Sequence, residues 1–213
     1  MPIRIYRLKD GSRVPGVTTV ISGSLGYNKQ ALMYWAWNEG IEGRNYRDTS
    51  QKAADIGTIA HAMIEANLKN KEYDSSAIPK DMLDKAENAY LAWLEWKDLV
   101  SFKLLASELS LVSEQYKFGG CIDIAVIKKV PCIIDLKTSN SVYADHLIQI
   151  SAYGNLYSEH HPEAPIQGYY LLRLGKEDGG FSYHYWPTLP EAWEAFKALL
   201  VLHNLSKKLK KMT

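Results

Sequence analysis

Two short apolar runs near the middle of the chain are each interrupted by one acidic residue. Cys121 to Ile127 is apolar except for Asp123, and Pro131 to Leu136 is apolar except for Asp135. Gly119-Gly120 before them and Lys128-Lys129-Val130-Pro131 between them predict two strands joined by a tight turn. Leu104 to Val112 is a third strand, in which Glu108 alternates onto a face with Ala106 and Ser110. Helical spacing marks Lys29 to Ile41, with Leu32, Trp35 and Ala36 as a core stripe and Tyr34 and Trp37 off it. After a polar loop from Glu42 to Ser50, a helix from about Gln51 to Lys69 gathers Ile56, Ile59, Ala60 and Met63 on one face, with Gly57, His61 and Glu65 beside its edge. Lys80 to Leu99 is an amphipathic scaffold helix.

Downstream, Ser141 to about Tyr157 reads as a helix that places Gln149 and Tyr153 one turn apart, with His146 on the same side. Gly168 to Leu174 and Phe181 to Trp186 predict a hairpin around Gly179-Gly180. Glu191 to Lys211 is a final helix whose terminal lysines, Lys207, Lys208, Lys210 and Lys211, complement the helix dipole. At the other end, Ile3 to Arg7 is a short strand ahead of an Asp10-Gly11 turn. This order predicts an α/β fold: a central mixed sheet with helices on both faces, residues 1–100 mainly helical and residues 101–213 carrying the core sheet. The 213 residues suit one domain of that kind.

Lys and Arg number 25 against 24 Asp and Glu, a formal net charge of +1, so any grip on a polyanion has to come from local patches. The two cysteines, Cys121 and Cys132, fall inside predicted strands and read as buried small hydrophobes. The sequence shows no signal peptide, no lipidation motif and no apolar stretch long enough to span a bilayer, which leads to the expectation of a cytoplasmic protein.

Alternation puts Asp135 and Lys137 on one side of their strand and Leu136 on the other, and groups Asp123 with Cys121 and Ala125, small neighbours that leave room. Taken singly, each aspartate is as easily a salt-bridged structural residue. Together, two carboxylates that repel one another favour a divalent cation, and oxygen ligands suit Mg2+ or Mn2+. Gly57 inside a helix costs about 1 kcal/mol relative to alanine, which points to a close approach at that position.

Gly57-x-x-x-His61, Gly120-x-x-Asp123, Asp135-x-Lys137-Thr138 and Gln149-x-x-x-Tyr153, in that order, resemble the PD-(D/E)XK nuclease superfamily. The likeness is to its RecB-type branch, which includes phage and mitochondrial genome-maintenance exonucleases. Asp-x-Lys alone recurs by chance, and it is the four elements in sequence that carry the resemblance. It implies a restriction-endonuclease-like core, one or two Mg2+ or Mn2+ ions, and a metal site of His61, Asp123, Asp135, the Leu136 backbone carbonyl and Glu108, with Glu114 as the alternative to Glu108. Lys137 would stabilise developing charge or position the attacking water. Gln149, Tyr153 and Thr138 would contact nucleic acid. Pro15-x-Val17-Thr18-Thr19 is similar to the amino-terminal signature of the same branch, where Thr18 and Thr19 would donate to phosphate; an ST-turn or helix cap accounts for them equally well. Trp37 could stack on an unpaired base, although packing against a neighbouring helix is the simpler reading.

The activity so implied is metal-dependent hydrolysis of DNA phosphodiesters by an exonuclease acting on single strands or ends, a preference that rests on the branch alone. The partners implied are DNA and a separate helicase or recombination protein, with no membrane. A catalytically inactive nucleic-acid-binding module is the alternative, and the complete acidic and lysine set argues against it. A hydrolase of small phosphate esters lacks a phosphate-cradling glycine loop. An iron–sulphur cluster, held by four cysteines in some RecB-type proteins, is excluded by the count of two.

Overall fold

The computed structural model describes residues 4–24 and 29–212, so the expected strand start at Ile3 lies outside the described residues. The chain opens with an antiparallel pair, β1 (Tyr6–Arg7) and β2 (Arg13–Val14), turned at Gly11 with φ 84°. Three helices follow: α1 (Val17–Ser24), α2 (Lys29–Ile41) and α3 (Tyr46–Leu68). The helix α4 (Lys80–Leu99) leads into the strands β3 (Lys103–Ser113), β4 (Phe118–Ile127) and β5 (Pro131–Lys137). The chain ends with α5 (Ala144–His160), β6 (Tyr169–Leu174), β7 (Phe181–Trp186) and α6 (Pro190–Leu209).

The five long strands form one mixed sheet in the order β3-β4-β5-β6-β7. All neighbours are antiparallel except β5 and β6, which run parallel because α5 makes the crossover between them. Helices cover both faces, the α/β arrangement expected from the order of elements. On one face, Phe118, Ile122 and Ile133 of the sheet pack with Val20, Ile150, Leu156 and Phe196 of α1, α5 and α6. On the other, Ile124, Ile134 and Leu172 pack with Ile56, Ile64, Trp93 and Trp96 of α3 and α4. No helix among the described residues is long and apolar enough to cross a membrane.

Two local expectations are corrected. Helix α3 begins at Tyr46, inside the expected loop, because the Asn45 side chain caps it by accepting the Arg47 N–H at 3.1 Å. Helix α2 has no single buried stripe: Leu32, Met33, Tyr34, Trp37 and Ile41 are all exposed. Its apolar residues are distributed around the whole circumference, so one buried face cannot take them all. Tyr34 and Trp37 pack on one another, their ring centroids 5.8 Å apart.

Candidate active site

The sheet opens where its acidic residues stand. The β4–β5 ladder runs from Ile127↔Pro131 to Ile124↔Ile134 and ends there. Just beyond it, the Leu136 N–H donates to Asp123 Oδ2 at 2.8 Å, a side chain taking the place of a backbone partner. At the same level on β3, Glu108 stands opposite Asp123, between the pairs Ser107↔Ile124 and Leu109↔Ile122. Glu108 has φ 52°, a left-handed conformation that costs a non-glycine residue roughly 1–3 kcal/mol. The strand also changes phase here, since Ile122 packs into the α5 and α6 layer and Ile124 into the α3 and α4 layer. Simple alternation therefore fails at Asp123: Ala125 joins the core with Ile122, and Cys121 sits on the side of Glu108.

Into this opening α3 sends His61. Its Nδ1 lies 3.7 Å from Asp123 Oδ1. Ligand atoms of His61, Glu108 and Asp123 all fall within 4.8 Å of one another, a spacing that fits a single cation. Asp135 stands outside that triad. It is fully buried, and its Oδ2 lies 2.6 Å from Lys137 Nζ. Apart from this charge contact neither Asp135 oxygen meets a hydrogen-bond donor, and His61 Nδ1 is also buried without a partner. Buried polar atoms left in that condition are costly, and a divalent cation would satisfy them. The residues present thus fit such an ion.

The electrostatics point the same way. Burial pushes Asp123 and Asp135 above the ordinary aspartate range even though Lys137 pulls each of them down. Burial and then Asp123 likewise raise Glu108. Burial, helped by Lys137, lowers His61, which keeps the imidazole neutral and able to ligate. For Lys137 burial acts downward, but Asp135 and Asp123 outweigh it and leave the ammonium more firmly protonated than usual. The Leu136 carbonyl lies close enough to His61 to act on its ring.

A cavity of ≈ 730 Å³ exposes the group, with Gln149 and Tyr153 on its α5 wall and Thr18 and Thr19 on its α1 wall. Gln149 Nε2 donates to the Tyr153 hydroxyl oxygen at 2.9 Å. Burial holds the Tyr153 phenol well above its ordinary pKa, so its own proton stays available to an acceptor. Thr18 and Thr19 sit exposed in the first turn of α1. A second cavity of ≈ 550 Å³ shares Thr18, His61 and Lys137 with the first and adds Gly57, Thr138 and Lys176. The two form one groove on either side of His61 and Lys137.

Two expected contributors lie elsewhere, and a third, close enough to feel Lys137 and Asp135, is tied into a helix cap. Trp37 is exposed on α2 and lines neither cavity. Glu114 accepts the Lys9 N–H at 2.7 Å, away from the triad of His61, Glu108 and Asp123. His146 closes a capping box at the start of α5, its Nδ1 accepting the Tyr143 N–H at 3.3 Å. Conversely, Lys207 of the terminal lysine cluster does reach the larger cavity, as do Arg4 and Arg13. Arg4 was not singled out by its sequence. It donates to Glu108 Oε2 across 104 positions of chain, and no local pattern announces such a partner.

No protein-family model matches the chain, and no curated protein matches it. Among solved structures the chain is similar to an alkaline exonuclease (LHK-Exo) from Laribacter hongkongensis at 13% identity and a TM-score of 0.39. It is similar to LHK-Exo in complex with dAMP at 13% identity and a TM-score of 0.41, each match covering 76% of this chain and 92% of that one. It is also similar to SSO0001 at 18% identity and a TM-score of 0.36, over 68% of this chain and 70% of that one.

Proposed function

We propose that the chain is a divalent-metal-dependent nuclease of the PD-(D/E)XK type, an exonuclease that hydrolyses DNA phosphodiesters on single strands or at ends. One observation carries the reading: Asp135, fully buried, is ion-paired to Lys137, and Lys137 lines one cavity with the triad of His61, Glu108 and Asp123. The triad would hold Mg2+ or Mn2+, with Asp135 and the Leu136 carbonyl as further oxygens beside it. When bound, such an ion supplies Lewis-acid polarisation of the phosphodiester and offsets the charge that grows on it. Lys137, kept cationic by its carboxylate neighbours, positions the attacking water or donates to a phosphoryl oxygen; it is a poor general base in that state. Asp135 orients the ammonium. Tyr153, steadied by Gln149, and the hydroxyls of Thr18, Thr19 and Thr138 donate to flanking phosphates, whose positions the two-sided groove accommodates.

Digestion of end-labelled single- and double-stranded DNA, with either end blocked, in Mg2+ and then in Mn2+, tests the assignment and reads polarity at the same time. Cleavage is expected from free ends, and EDTA or Asp135→Ala abolishes it. Full metal-dependent activity in a purified, folded Asp135→Ala protein would end this reading. A wild-type protein that binds the strand without shortening it would instead identify a catalytically inactive binding module.

A further inference from the structure

The guanidinium of Arg4 lies inside the acidic cluster. Arg4 Nη2 meets Glu108 Oε2 at 2.5 Å. Arg4 Nη1 donates to Ser110 Oγ at 2.6 Å, to the Glu108 carbonyl at 3.4 Å and to Cys121 Sγ. These partners sit on both β3 and β4, so the guanidinium bridges the two strands beside Glu108. The Glu108 side chain is 11% exposed and that of Arg4 32%, which puts Arg4 between the carboxylate and solvent. Cys121 Sγ also donates to Oε2, at 3.4 Å, and neither contact engages Oε1.

Two-ion nuclease sites place their cations roughly 3.5–4 Å apart and need carboxylates whose two oxygens can be shared between them. Here one oxygen of Glu108 is already taken by a group that is cationic at every accessible pH. We infer that Arg4 serves as the resident second cation of the site, limiting it to one divalent ion held by His61, Asp123 and the remaining oxygen of Glu108. Arg4 is thus a positioning residue for Glu108. It balances the carboxylates in the metal-free protein and blocks a second ion from Oε2.

This inference rests on the metal-site reading above, and direct binding separates the two. Mn2+ titrated into the full-length protein is followed by calorimetry and by the loss of free-ion electron paramagnetic resonance, with no substrate present. One Mn2+ is expected for wild type and for Arg4→Lys, and a second, weaker equivalent for Arg4→Met. Two ions on wild type, or a single ion on a folded Arg4→Met, overturns the role of Arg4 while leaving the metal site standing. No bound Mn2+ on wild type overturns both. If Arg4→Met fails to fold, Arg4→Gln, which is likewise uncharged, supplies the same comparison.

Discussion

The ring of Tyr153 occupies the space that a side chain on Gly120 would need: a β-carbon built there stands 2.8 Å from its Cε1 and 3.0 Å from its Cδ1. Gly57 and Thr138 repeat the relationship, with a β-carbon on Gly57 falling 2.9 Å from Thr138 Oγ1. Each glycine of the four-part pattern therefore exists to let another part of the pattern close against it. Gly120→Ala should cost roughly 1–3 kcal/mol through overpacking, or about 2–4 °C of melting temperature per kcal/mol in a chain of this size. Val17 Cγ2, 3.2 Å from the same point, adds to the crowding. In Tyr153→Ala the added methyl group should cost far less. A double-mutant cycle read by thermal melting checks this, and strictly additive effects would show that the two residues do not share the space.

Lys137 is expected to act as a placed charge. Lys137→Ala removes one stabiliser of the growing phosphoryl charge, a loss of about 100- to 1,000-fold in turnover by analogy with other charge-stabilising donors. The melting temperature should fall as well, because Asp135 is fully buried and loses the one charge that meets it. Lys137→Arg should not restore turnover, since a planar fork cannot copy a compact ammonium pressed against Asp135. Single-turnover cleavage rates alongside thermal melts make the comparison.

In the metal-free protein the acidic cluster should work against stability near neutral pH. The folded-state pKa of Asp123 is raised, by burial above all, from its ordinary value of 3.8. A raised carboxyl favours the folded protein while protonated, below that ordinary value, and this stability is lost as pH rises through the folded pKa. Asp123→Asn keeps an oxygen for the Leu136 N–H and carries no charge. It should melt higher than wild type at pH 7, by roughly 2–4 °C for each kcal/mol relieved, with the gain vanishing towards pH 3. Added Mn2+ should reverse the ranking by stabilising only wild type. Melting curves across pH with EDTA, then with Mn2+, would reveal an opposite trend.

Lys207 and Lys208 are adjacent on α6, yet only Lys207 lines the cavity. Lys207→Ala should weaken single-strand binding and flatten the log–log salt dependence by about 0.7, the contribution of one phosphate contact to a single strand. Lys208→Ala should leave the slope unchanged. Fluorescence anisotropy on the Asp135→Ala background, where the strand is not consumed, supplies both slopes, and equal effects would remove Lys207 from the binding surface.

Much of this molecule is written locally. Helices α2 and α4 and strand β7 have the bounds expected from sequence, and in α4 a 3.6-residue repeat records which side of the element meets the core. Asp135 and Lys137 also follow from sequence, as two alternate positions on one short strand whose contact is decided by backbone geometry alone. What periodicity could not carry is everything settled between distant segments. The change of phase at Asp123 accompanies the end of the β4–β5 ladder, and Arg4 reaches Glu108 only because β1 is laid against the sheet, where Tyr6 occupies the space a side chain on Gly119 would need. Lys207 enters the cavity because α6 packs beside α1, while its lysine neighbours, identical in sequence terms, do not. A repeat reports burial, which each residue experiences at its own position; the partner across the gap is chosen by tertiary packing.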